Sequence, residues 1–387
     1  MTNSAFRVTE HVLPCYRARR CAAEREATPV SVSLAVKQYV PVESHVSGQA
    51  GITLIAAHAN ACPKELYEPL WEALAKSLHT RGLGIRAIWI ADVAHQNRSG
   101  ILNEEHGLLT NVRWNDHVRD MIRMIDHFHD GMVKPIVAIG HSMGGSQVLS
   151  LAAACPDIFS SVILLDPAIG PVWAAEGCLL LARRTLTRTV EWESPQKAKD
   201  AARKSFRTWD AAVLSRYEAY GLVEETSAGS SAESRPVKLV NGRYRELIGF
   251  LQPQFIDDGD VTSPEIKYQR GCYTGYNALE SIESNVLFLC GANSPATPER
   301  LRQNWFEKLA GNDNNIRTAA RFVPDTGHFL PFEAPHDCGE AIADWVAEET
   351  TSWAAREKQG MPIASKGKSE KESMSDAWMV AVKAKLS

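Results

Sequence analysis

Residues Val137 to Gly145 read VAIGHSMGG, a G-x-S-x-G pattern between a strand-like apolar run and a helix-like one. Such spacing suits nucleophilic chemistry. The turn strains the backbone so that a central serine oxygen stands clear of the sheet at a helix N-terminus. Flanking glycines remove the Cβ clashes that so tight a turn would cause. Ser142 is that central residue. The backbone N–H of Met143 would then face an oxyanion growing on the attacked carbonyl. Five-residue patterns recur by chance, so the strand-before, helix-after setting carries the weight against a glycine-rich turn with no chemistry.

A serine hydroxyl needs a general base. His328, in PDTGHFLPFEAP, follows a strand pattern and precedes a helix. That places it on a loop at the C-terminal edge of a parallel sheet, where a base for Ser142 must lie. His58, in AAHANACPKE, is expected to fix its own loop by hydrogen bonds, and His141 is locked into the turn. His127 and His129 flank a helix end, where positive charge is favourable. His95 and His117 could line a pocket or satisfy a loop. In the same His58 loop, Asn60 is the expected second oxyanion donor, with Ala61 as the alternative.

The carboxylate that orients the base is harder to place. The stretch CGANSPATP, Cys290 to Pro298, follows a late strand where an acid would be expected, yet it has none. Asp325 is only three residues from His328 and would have to fold back on its own turn. Glu299 falls in a helical pattern, one step late. Asp166 ends the strand VILLDP directly after the nucleophile's helix, from where an acid can reach the same imidazole. The plainer reading is an aspartate in a strand-end turn beside Pro167. The expected site is therefore Ser142, Asp166 and His328, with Asn60 and Met143 as oxyanion donors. Ser294, being neutral, is expected to contribute little.

Elements must position these residues. VSLAVKQYVPV, GITLIAAHAN, IRAIWIADV, KPIVAIGHS, SVILLDPA, NVLFLCGA and ARFVPD read as strands. ELYEPLWEALAKSL, WNDHVRDMIRMIDHF, GGSQVLSLAAA, PERLRQNWFEKLA and EAIADWVAEE carry helical periodicity. Apolar strands alternating with helices imply an α/β fold with a mostly parallel sheet covered on both faces. The alternation breaks between about Pro167 and Arg270, in helical patterns such as PQKAKDAARKSF and DAAVLSRYEAYGL and a small-residue loop at Thr226–Ser234. The expected organisation is a core over 1–166 and 271–350, a mainly helical cap over 167–270, and a linker with a helical tail over 351–387.

The 387 residues carry a net charge of −4, with no nucleic-acid signature. The eight cysteines are scattered without a C-x-x-C pair, as buried free thiols would be. The N-terminus lacks a signal-peptide apolar core, and no apolar run is long enough to span a bilayer. No metal cluster or dinucleotide fingerprint occurs, so no cofactor is expected.

Together these motifs resemble the α/β-hydrolase superfamily. HANACPKELYEPLW, WIADVAHQNRSGILNEE, GHSMGG, VILLDP, WDAAVLSRYEAYGL and GHFLPFEAP look more narrowly like fungal toxin and secondary-metabolite hydrolases. The peroxisomal acyl-CoA hydrolase of mycophenolic acid biosynthesis is one of that group. The resemblance implies an eight-stranded sheet and an acid after the strand that follows the elbow. It also implies acyl-CoA thioester hydrolysis, in preference to carboxylesterase or lactonase chemistry or a non-catalytic binding role. Basic residues Arg183, Arg184, Arg188, Lys197, Lys199, Arg203, Lys204 and Arg207 could meet coenzyme A phosphates, or could simply form a solvated helix face. Trp173, Trp192, Phe206 and Trp209 could meet the acyl chain. The expected partner is a small acyl-CoA or ester, and a homodimer stays open. The family implies a peroxisomal address. The chain ends AKLS, and the serine after AKL should block a receptor that reads a terminal tripeptide, which leaves a cytoplasmic location as the alternative.

Overall fold

The computed structural model describes residues 5–17, 20–21, 30–42, 51–106, 109–110, 112–171, 177–225, 235–254, 265–268, 270–312, 314, 316–359 and 383–385. The anticipated loop at Thr226–Ser234, Trp173 and the AKLS terminus apart from Ala384 and Lys385 lie outside them.

Eight strands form one sheet: β1 (Phe6–Pro14), β2 (Ser33–Pro41), β3 (Gly51–Ala57), β4 (Gly84–Ala91), β5 (Ile136–His141), β6 (Phe159–Leu165), β7 (Asn285–Gly291) and β8 (Thr318–Val323). Their spatial order is β1-β2-β4-β3-β5-β6-β7-β8. The β1–β2 and β2–β4 pairs are antiparallel, and the remaining pairs are parallel. Every residue of β3, β5 and β7 is buried, as strands covered on both faces must be. Strand β1 was not anticipated. Its FRVTEHVLP is exposed at most positions because it is an edge strand, so the continuous apolar signal is missing.

Helices α1 (Glu68–Thr80), α2 (Trp114–Phe128), α3 (Met143–Ala154), α4 (Gly177–Thr187), α5 (Pro195–Ser205), α6 (Ala211–Tyr220), α7 (Gly242–Phe250), α8 (Gly271–Ala278), α9 (Glu299–Ala310) and α10 (Pro335–Gln359) complete the main framework. Helix α2 buries Trp114, His117, Val118, Met121, Met124 and Ile125 along one face. Its first turn is fixed by Asp116, whose carboxylate accepts the Arg113 backbone N–H at 3.1 Å. Two apolar clusters lie on opposite sides of the sheet. One gathers Trp89, Met121, Val148 and Trp305, and the other Trp71, Leu74, Phe332 and Trp345. Burying each such side chain contributes roughly 1.5–3 kcal/mol.

Helices α4 to α7 occupy the interval between β6 and β7. They are joined by a small antiparallel sheet of Glu191–Trp192, Leu222–Glu224 and Val237–Leu239, which the helical periodicity did not predict. Caps delimit two of these helices. The Ser194 side chain accepts the Lys197 N–H before α5, and Asp210 accepts the Ala212 N–H at 2.7 Å before α6. No helix among the described residues is long and apolar enough to cross a membrane.

Candidate active site

Ser142 stands between β5 and α3 with φ 53° and ψ −116°. A non-glycine residue there costs about 1–3 kcal/mol and persists only when its surroundings over-determine it. They do. Ser142 N–H donates to Leu165 O at 3.0 Å, while Ser142 O accepts from Gly145 N–H at 3.0 Å and Ala168 N–H at 2.9 Å. A Cβ on Gly140 would lie 2.2 Å from Gly144 O, and one on Gly144 would lie 2.1 Å from Ala57 O. Both glycines are therefore set by close packing, as the G-x-S-x-G spacing implied.

The ends of β5, β6 and β8 bring three separated side chains into one line. His328 Nε2 lies 2.9 Å from Ser142 Oγ, and His328 Nδ1 lies 2.6 Å from Asp166 Oδ2. Asp166 is fully buried, with φ 41°, and its N–H donates to Leu289 O at 2.9 Å. Two further donors hold the carboxylate. Ser294 Oγ–H reaches Oδ2 at 2.6 Å, and Thr297 Oγ1–H reaches Oδ1 at 2.8 Å. The stretch after β7 thus lacks its own acid but clamps the one on the neighbouring strand. Ser294, expected to contribute little because it is neutral, thus has a direct contact with the carboxylate that the sequence reading did not foresee. Sequence reasoning missed this because it weighed Ser294 only as a replacement acid.

The loop after β3 carries Asn60. Its side chain bridges outward: Nδ2 donates to Glu246 O on α7 at 3.0 Å, and Oδ1 accepts from Gln96 Nε2 at 2.7 Å. Gln96 Oε1 also accepts the Ala61 N–H at 2.8 Å. The Ala61 amide, the alternative oxyanion donor, is therefore already engaged. Asn241 Nδ2 donates to Ala61 O at 2.9 Å, tying the loop to the start of α7 a second time. Helix α7 approaches so closely that a Cβ on Gly249 would fall 1.8 Å from Asn60 Oδ1. His58 is structural, as expected. Its Nε2 accepts the Val93 N–H at 3.0 Å, which leaves Nδ1–H to donate to Ala59 O at 2.7 Å.

A second fully buried histidine links the loops. His141 Nε2–H donates to His328 O at 2.9 Å, and Nδ1 accepts from Tyr67 Oη–H at 2.9 Å. Tyr67 Oη in turn accepts the Ala59 N–H at 2.9 Å. Burial first, then the neighbouring His328, lowers the His141 pKa to about 3, so the ring stays neutral in this relay. Three residues before Tyr67 in the chain, Lys64 Nζ sits 2.5 Å from Asp92 and 3.1 Å from Glu65, all three buried. Burial alone would lower the Lys64 pKa, but Asp92 and Glu65 outweigh it and hold it above the usual lysine range.

Ser142 and His328 open on a cavity of about 290 Å³. One wall is aromatic: Phe206, Trp209, Tyr217 and Phe329. Phe206 and Trp209 stack at 4.0 Å, and Trp209 meets Phe329 edge-on at 5.5 Å. Another part of the lining is polar: Arg184, Thr185 and Arg188 from α4, with Asn241 and Glu246. Of the eight basic residues expected to meet phosphates, only Arg184 and Arg188 line this cavity. Lys197 pairs with Glu193, while Lys199 and Arg203 pair with Glu218 at 3.9 and 2.9 Å. For those three the solvated-face reading holds. Among the described residues no cluster of three or more His, Cys, Asp or Glu could hold a metal ion.

Comparison with known proteins agrees with this fold. An Abhydrolase domain-containing protein of Alternaria alternata, AFT2-1, is 36% identical over 263 residues, spanning 66% of this chain and all of that protein. The type I acyl-CoA thioesterase mpaH' of Penicillium brevicompactum is 30% identical over a 404-residue alignment, spanning 93% of this chain and 92% of that one. The crystal structure of peroxisomal alpha-beta-hydrolase Lpx1 from Saccharomyces cerevisiae shares the fold, with a TM-score of 0.67 at 17% identity over 90% of this chain and 91% of the other. A family model for the alpha/beta hydrolase family matches residues 56–341, so the chain belongs to that family and is a hydrolase.

Proposed function

We propose that the protein is a serine hydrolase that cleaves an acyl thioester, an acyl-CoA, through Ser142, His328 and Asp166. The observation that carries this is the continuous hydrogen-bonded line from Ser142 Oγ through the imidazole to the buried Asp166. Asp166 accepts from Nδ1–H and so fixes the tautomer in which Nε2 is free to take a proton. Ser142 Oγ attacks the thioester carbon as its proton passes to His328 Nε2. The carbonyl oxygen becomes an oxyanion, facing the Met143 N–H at the start of α3 and the Asn60 N–H. Collapse breaks the C–S bond, and the leaving sulfur takes the proton from the imidazolium. A thiol, with an ordinary pKa near 8.5, makes a modest demand on that acid. Water then attacks the acyl-enzyme with His328 again as base, releasing the carboxylic acid and free serine.

The thioester preference rests on relatives named as acyl-CoA thioesterases, and the cavity's aromatic residues suit the acyl chain of either ester type. In this reading residues 167–270 act as a cap over a core of 1–166 and 271–350, and 351–387 form a tail. The test is a panel of acyl-CoAs and matched oxyesters, with fluorophosphonate labelling. Ser142→Ala should lose about 10⁶ in kcat and all labelling, by analogy with subtilisin. Near-normal turnover by Ser142→Ala would overturn the serine mechanism. Turnover of oxyesters alone would reassign the enzyme as a carboxylesterase.

A further inference from the structure

The polar wall of the cavity holds a feature that hydrolysis itself does not use. Glu246 is 7% exposed and accepts from Thr185 Oγ1–H at 2.7 Å. Its other oxygen pairs with the Arg188 guanidinium. Burial raises the Glu246 pKa above the ordinary carboxylate range, even against the opposing pull of Arg188. Arg188 Nε is buried and has no hydrogen-bond acceptor among the described residues. Arg184, one helical turn earlier on α4, lines the same cavity. Glu246 is buried while the Arg188 side chain is 36% exposed. A plain hydrocarbon chain would desolvate this wall and leave it unanswered, which costs free energy unless its polar groups find partners. The wall also lies beside the reacting centre, because the Glu246 backbone oxygen accepts from Asn60 Nδ2.

We propose that Thr185, Arg188 and Glu246 form a specificity subsite for a hydroxylated acyl chain. A hydroxyl is the group that satisfies both partners at once, accepting from Arg188 and donating to Glu246. The rest of the chain lies against Phe206, Trp209, Tyr217 and Phe329. The inference deepens the acyl-hydrolase reading and rests on it for its meaning. The acyl half, however, is common to thioesters, oxyesters and the free acid, so the subsite can be tested without turnover.

The experiment is calorimetric binding of free acids to the full-length Ser142→Ala protein. The probes are decanoic acid, its 3-, 6- and 10-hydroxy derivatives, and decanedioic acid. The same set is measured with Arg188→Met and Glu246→Leu added, a volume-conserving apolar replacement of the pair. The expected result is that at least one hydroxy acid binds about tenfold to a hundredfold more tightly than decanoic acid, the range for a hydrogen bond to a charged group. The apolar variant should remove that gain and bind decanoic acid at least as well as before. Equal binding of all the hydroxy acids and decanoic acid overturns the proposal. So does a gain that survives in the apolar variant, or a gain confined to decanedioic acid, which would mark a carboxylate site. Failure of the thioesterase reading would appear separately, as turnover of oxyesters only.

Discussion

The sheet's C-terminal edge and the helices above it are held together by different means. At the edge, Ser142, Asp166 and His328 are fixed mainly through backbone groups: Leu165 O, Leu289 O, Ala168 N and the His328 carbonyl. Strands of a parallel ladder cannot shift singly, so these positions inherit the precision of the sheet. Above it, α4 to α7 meet the cavity with side chains, a stacked aromatic pair and an Arg–Glu bridge. The difference teaches where variation is tolerable. In the proposed reading, the edge sets what bond is broken, and the overlying helices set which acyl group is presented.

The sharpest way to break this comparison is at its centre. Asp166→Asn keeps size but no longer enforces the proton-accepting tautomer of His328. We expect kcat to fall by up to about 10⁴ with the fold intact by circular dichroism. Full activity would mean that another group orients the imidazole.

The second prediction falls where the two regions touch. Gly249→Ala would push its methyl group into the Asn60 side chain. If Asn60 supplies an oxyanion donor, kcat should drop by about 10²–10³. Trimming Asn60→Ala in the same protein makes room and should recover part of that loss, because the donor is the backbone N–H. A double variant no better than Gly249→Ala would show that the damage lies elsewhere in α7.

Ser294→Ala and Thr297→Val probe the clamp on Asp166. Each removes one hydroxyl from a carboxylate that also serves His328, and each should cost about tenfold in kcat with KM little changed. A change in KM alone would place these residues in substrate binding.

Much of the edge was legible in the sequence because its chemistry is local. G-x-S-x-G predicts a turn from five residues, Asp166 ends a recognisable strand and His328 follows one, and the alternation implied a mostly parallel sheet but not its strand order. The clamp and the relay were not legible. Ser294 and Asp166 are 128 residues apart, and nothing in GANSPATP marks a hydroxyl as a donor to a distant carboxylate. Tyr67 sits in a helical pattern that explains it fully as core. Helices α4, α7 and α8 were missed as well. GCLLLARRTLT and GRYRELIGF are short, and much of α4 faces outward, so their apolar positions lack a clear period.

The smallest expected effect concerns His141, which belongs to the edge but carries no part of the reaction. Its pKa is lowered to about 3 by burial and by His328, against about 6.5 in an unfolded chain. Between those values the unfolded state binds more protons at this position, so the neutral ring's contribution is present above pH 6.5 and lost as the pH falls toward 3. The slope cannot exceed about 1.4 kcal/mol per pH unit for one group. His141→Gln tests this cleanly. A glutamine amide can donate to His328 O and accept from Tyr67 Oη–H, so the relay survives without a titrating group. Activity at pH 8 should stay within a few-fold of the wild type, while the acid-side fall in Tm between pH 6.5 and 4 becomes shallower. Parallel Tm curves would show that His141 is not the titrating group. A large loss of kcat at pH 8 would show that the imidazole does more than hold the His328 loop in register.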